Sequence, residues 1–84
     1  MRNPELFTTD GEIESLTNLY LADNCTIMDI YDAIEDSSTG AELVKKMNAL
    51  KLFSKFTLDR ETSEYVRLIT TDCFGKRHYF KAYK

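Results

Sequence analysis

Glycine, histidine and paired cysteine are all scarce in this chain, and each shortage removes a class of chemistry. The three glycines, Gly11, Gly40 and Gly75, lie far apart, so no glycine-rich loop exists to cradle a phosphate. His78 is the single histidine, and no sequence neighbour makes a catalytic pair with it. Cys25 and Cys73 stand 48 positions apart, without the Cys-x-x-Cys spacing of structural zinc sites. Two reduced thiols are expected. Apolar runs reach only a few residues, far short of a membrane span. Met1-Arg2-Asn3-Pro4-Glu5 lacks the basic stretch and apolar run of a targeting segment. The carboxylates fall on exposed helical positions, with no sign of the burial that raises a pKa. These shortages point to a protein without enzymatic activity, cofactor or metal. The expected location is the cytoplasm, that of an infected host cell if the chain is viral.

What the chain does have is charge, unevenly placed. With 84 residues it is expected to form one domain. Such a chain buries roughly 60–65% of its unfolded surface, so its margin of stability is thin. The net charge of −3 conceals an asymmetry. Residues 1–42 hold ten acids and one base, a balance of −9. Residues 43–84 hold four acids and ten bases, a balance of +6. Asymmetry of this kind bears on partners and solubility rather than on fold.

Hydrophobic periodicity predicts the elements. Residues 1–8 read as an N-terminal arm, with Leu6 and Phe7 able to tuck against the domain. Thr9-Asp10-Gly11-Glu12 matches a capping box. Ile13, Leu16, Leu19 and Tyr20 follow at helical spacing, predicting a first helix over about 10–22 that ends at Asp23-Asn24. Thr26 caps a second helix over about 26–36, with Ile27, Ile30, Tyr31 and Ile34 as its apolar stripe. Its opposite face gathers Asp29, Asp32, Glu35 and Asp36. Glu35 and Asp36 oppose the helix dipole there. Thr39-Gly40-Ala41-Glu42 is a second capping box. It opens a third helix over about 39–51, with Leu43, Val44, Met47 and Leu50 inward and Lys45, Asn48 and Ala49 outward.

The period then drops to two. Phe56 and Leu58 suggest a short strand, and 59–63 a polar loop. Residues 64–71 and 76–83 predict an antiparallel hairpin around Asp72-Cys73-Phe74-Gly75. Alternation sends Val66, Leu68, His78, Phe80 and Ala82 inward. It sends Tyr65, Arg67, Ile69, Arg77, Tyr79, Lys81 and Tyr83 outward. The expected class is therefore α+β, three helices followed by a hairpin.

That order of elements resembles the winged helix-turn-helix superfold over residues 10–83. The resemblance implies a third helix in the DNA major groove, with Lys45, Lys46 and Asn48 reading and Lys76 and Arg77 at the wing tip. The acidic residues of the second helix would then face phosphates and oppose binding.

Two surfaces carry the functional expectations. The acidic face (Asp29, Asp32, Glu35, Asp36) suits docking on a basic protein groove, or imitation of nucleic-acid phosphates, as small viral inhibitors do. A charged face that is merely solvated is equally common. The basic-aromatic set (Lys45, Lys46, Arg67, Lys76, Arg77, Tyr79, Lys81, Tyr83) suits a protein hot spot or a single-stranded nucleic-acid platform. Snorkelling side chains on an amphipathic strand explain the same pattern. The leading expectation is a small regulatory or inhibitory protein that binds another protein. A winged-helix DNA-binding regulator is the alternative, and a self-associating structural subunit, such as a homodimer, the second.

Overall fold

The computed structural model describes residues 1–19, 27–50, 52, 55–72 and 74–84. Five strands and two helices build it. In chain order they are β1 (Arg2–Thr8), β2 (Ile13–Glu14), α1 (Ile27–Glu35), α2 (Gly40–Ala49), β3 (Thr57–Glu61), β4 (Tyr65–Thr71) and β5 (Arg77–Tyr83), with a short 3-10 helix at Leu16–Leu19. The strands form one antiparallel sheet in the order β2-β1-β5-β4-β3. The chain starts in the middle of the sheet, turns to one edge, crosses the inner face through both helices, and returns from the other edge.

This corrects the expectation of three helices and a hairpin, and with it the winged-helix order. The first helix is absent among the described residues of 10–22. Gly11 adopts φ +87°, a left-handed conformation suited to glycine. Thr8 and Glu12 close a hairpin around it, through Thr8 N–H to Glu12 O at 2.9 Å. Asp-Gly between two strands is a hairpin signal, and here it outweighs the capping-box reading. Ile13, placed on the apolar stripe by spacing, is 77% exposed. The supposed arm is β1, paired with β2 on one side and β5 on the other. Pro4 lacks an N–H and falls in the register shift between Arg2 and Glu5, where a missing donor is tolerated. Tyr20, Asp23, Asn24, Cys25, the Thr26 cap, Lys51 and Cys73 lie outside the described residues.

The second and third helices and the hairpin stand where periodicity puts them. Thr39 caps α2, its hydroxyl accepting from Glu42 N–H at 3.2 Å. On α1 the buried residues are Ile30, Ala33 and Ile34, while Tyr31 turns outward. The acids at the α1 C-terminus have compensation: Lys46 Nζ donates to Asp36 O at 2.7 Å, and the Met1 amino nitrogen to Ile34 O at 2.9 Å. The supposed loop 59–63 is mostly strand, with β3 running through Glu61.

The core lies between helices and sheet. Leu6 of β1, Val66 and Leu68 of β4, and Phe80 and Ala82 of β5 meet Ile30, Ile34, Leu43 and Met47 of the helices. Phe56 packs edge-on against Phe80, ring centroids 6.3 Å apart. Strand alternation therefore assigns the inner face as expected, and leaves the outer one to solvent.

Candidate binding surface

The outer face of the sheet is organised in rows, because antiparallel pairing sets partner residues side by side on the same face. Ile13, Phe7, Tyr79 and Ile69 stand in register across β2, β1, β5 and β4. They form one apolar row. Phe7 and Tyr79 stack, with centroids 5.4 Å apart and planes at 27°. Two residues along the strands comes a charged row, Glu5, Lys81 and Arg67. Two further on stand Tyr83 and Tyr65, paired with each other and meeting edge to face. On the other side of the apolar row, Arg77 pairs with Thr71.

The cations are held over the rings. Arg67 lies 5.0 Å from the Tyr79 centroid, and Lys81 lies 4.3 Å and 4.8 Å from those of Tyr65 and Tyr83. Such contacts are worth about 0.5–1 kcal/mol each at exposed sites and order the long side chains. Asp59 grips the Arg67 guanidinium at 2.6 Å.

The acidic residues Asp29, Asp32 and Asp36 line a shallow cleft of about 280 Å³ between α1 and α2, completed by Ala33, Lys46, Ala49 and Leu50. Glu35 is exposed on the same helix. The helix face is thus acidic, whereas the outer sheet face carries mixed charge, with Arg67 paired to Asp59 and Lys81 beside Glu5. The basic residues do not gather as the winged-helix resemblance implies. Lys46 is committed to Asp36 O, and Lys45 is exposed on α2 among the helices. Lys76 and Arg77 stand at the distant hairpin end. Asn48, placed outward by periodicity, turns to the backbone of Phe56 instead.

Sequence alternation places Arg67, Tyr79, Lys81 and Tyr83 on this surface but misses Phe7 and Ile13, which arrive with β1 and β2. Leu6 and Phe7 are adjacent and both apolar, so no alternation in the sequence marks Phe7 as outward.

A buried cluster fastens the edge of this surface. His78, 4% exposed, sits between Glu14 and Asp72, with Nδ1 2.6 Å from Glu14 Oε2 and Nε2 2.9 Å from Asp72 Oδ2. Two carboxylates facing both ring nitrogens require two N–H donors, which only the imidazolium has. Burial pushes the His78 pKa down, but hydrogen bonds to Asp72 and Glu14 and the charges of both outweigh it, and the net direction is up from 6.5. The same bond to His78 leads in holding the Asp72 carboxyl below its ordinary 3.8, against partial burial and helped by the N–H groups of Lys76 and Phe74. Among the described residues, no three His, Cys, Asp or Glu side chains are placed to hold a metal ion. Nor is any helix among them long and apolar enough to cross a membrane.

A pH dependence follows with a definite sign. A raised histidine pKa stabilises the fold fully below 6.5, and that contribution is lost as pH rises through the native value. A lowered aspartate pKa stabilises above 3.8 and is lost as pH falls through the native value. The urea midpoint should therefore be higher near about pH 5.5 than near about pH 8.5. His78→Gln should flatten the alkaline limb. Equal midpoints in the native chain would contradict the imidazolium assignment.

No family model, no curated protein and no solved structure matches this chain.

Proposed function

We propose that the chain is a non-enzymatic domain that acts by binding protein, and that the outer face of its sheet is the contact surface. One observation carries this reading: the apolar row Ile13, Phe7, Tyr79 and Ile69 lies on the sheet face opposite the helices, flanked by Arg77 on one side and by Arg67 and Lys81 on the other. Aromatic residues and arginine around an apolar centre are the composition of protein hot spots.

The charge balance favours protein over nucleic acid. Asp59 already neutralises Arg67, Glu5 stands beside Lys81, and the helix side is acidic. A phosphate backbone draws its affinity from uncompensated cations, whereas a protein contact works with mixed charge around an apolar centre. The histidine cluster favours binding over catalysis, since both ring nitrogens of His78 are engaged by carboxylates.

The test is site-specific photo-crosslinking in the cells that make the protein. A benzophenone amino acid at Ile13 or Tyr79 should give protein adducts. The same group at Glu64, an exposed residue beside the β3–β4 turn, should not. Adducts from Glu64 alone would contradict the proposal.

A further inference from the structure

The sheet face has a complement on the molecule itself. Helix α1 exposes two large apolar side chains, Met28 at 62% and Tyr31 at 39%. They stand three residues apart, on one face of the helix. Asp32 and Glu35 lie exposed on the same face. An apolar pair bordered by carboxylates on one side of the molecule thus faces away from an apolar row on the other, whose border is mixed in charge but keeps a net positive balance through the exposed Arg77. The molecule is only 18 Å deep along its shortest axis, so two layers account for it and the two faces point in opposite directions. Its broad faces, with extents of 32 and 29 Å, suffice for the ~800 Å² per partner of a standard interface.

We infer that the protein that occupies the sheet face is a second copy of this chain, docking the outer face of α1. The inference rests on the contact-surface reading above and names the partner. In the assembly, Met28 and Tyr31 meet the row of Ile13, Phe7, Tyr79 and Ile69. Asp32 and Glu35 approach Lys81 and Arg77, while Arg67 stays with Asp59. The sheet then has helices on both faces, the three-layer arrangement that covers both of its sides. Because the two patches differ and lie on opposite sides, the contact is head to tail and leaves one free patch of each kind at the ends.

Sedimentation velocity with the full chain tests this. Over roughly 10 µM to 1 mM, the range of weak contacts, the weight-average mass should climb from 9.7 kDa to at least about double. It should fall back as salt rises from about 20 mM to about 0.5 M. The double substitution Ile13→Lys with Tyr79→Lys disables the sheet patch, and Met28→Lys with Asp32→Lys disables the helix patch. Each variant alone should stay monomeric. An equimolar mixture restores one intact junction and should give a 1:1 complex that grows no further, which also shows that both variants are folded. Wild type that stays at monomer mass throughout at low salt would overturn the inference, as would a mixture that stays monomeric. Crosslinks from Tyr79 to a different protein, with no self-association, would sink the second copy and leave the contact-surface reading standing. Absence of sheet-face adducts of any kind would sink both.

Discussion

Replacing His78 with leucine should cost this fold about 3 kcal/mol, a large share of the roughly 5–10 kcal/mol that holds a domain of this size. The substitution keeps the volume and removes the cation. Glu14 and Asp72, whose side chains are 13% and 12% exposed, then keep their charges without the partner between them. Removing one member of a buried pair is expensive for that reason, even where the intact pair contributes little over an apolar replacement. The melting temperature should fall by more than about 12 °C, at 4–8 °C per kcal/mol for a chain this short. Changing Glu14 to glutamine as well should recover part of the loss, because one stranded charge is gone. The cluster also reaches the proposed contact surface. Glu14 belongs to β2, a strand of two residues whose other member is Ile13. Loss of the His78 bond removes the side-chain tie of β2, leaving it held by its pairing with β1 alone. A loss below about 0.5 kcal/mol would show that both carboxylates regain water without effort.

Asn48→Ala should destabilise by about 2 kcal/mol. The Asn48 amide acts as a one-residue strand partner. Its Nδ2 donates to Phe56 O at 3.1 Å, and its Oδ1 accepts from Phe56 N–H at 2.7 Å. Phe56 is 1% exposed, so a backbone donor and acceptor lose their partners together where water has little access. The cost of stranding both exceeds what a single exposed hydrogen bond contributes. Asn48→Asp keeps the acceptor for the N–H but sets a carboxylate against Phe56 O, so it should fall between wild type and alanine. Urea denaturation of the three proteins checks the order. Equal stability of Asn48→Ala and wild type would mean the Phe56 backbone finds other partners.

Both residues owe their roles to contacts that no local pattern encodes. Alternation alone places His78 on the inner face, where the structure has it, but its partner Glu14 lies 64 residues away and no local pattern links them. Asn48 lies outward on a helical wheel drawn without neighbours. What it touches depends on where the chain passes after α2. The hairpin β4–β5 was legible because period-two alternation ran unbroken through both strands, and Asp72 and Gly75 close the turn as their types suggest, Gly75 at φ +82°. Helices α1 and α2 were legible from their stripes and from the Thr39 cap. Strand β1 was not. Asn3 at φ +52° and Pro4 interrupt it with a bulge just where alternation had to be counted. The ambiguity of Thr9-Asp10-Gly11-Glu12, at once a capping box and a hairpin turn, then converted β2 into a helix. The outer-face residues of β4 and β5 are legible from alternation within the hairpin. Phe7 and Ile13 are not, and with them goes half of the apolar row.

The rings on the outer face of the sheet should be covered when the protein is at work. Hydroxyl-radical footprinting measures this residue by residue, comparing the protein inside the cells that make it with the dilute purified chain. Phe7, Tyr65, Tyr79 and Tyr83 should be protected in the cell. Phe74, 92% exposed at the hairpin tip, should stay reactive in both and serves as the internal standard. Equal labelling of all four rings in cell and dilute solution would contradict that coverage, and would leave the outer face as bare solvated surface.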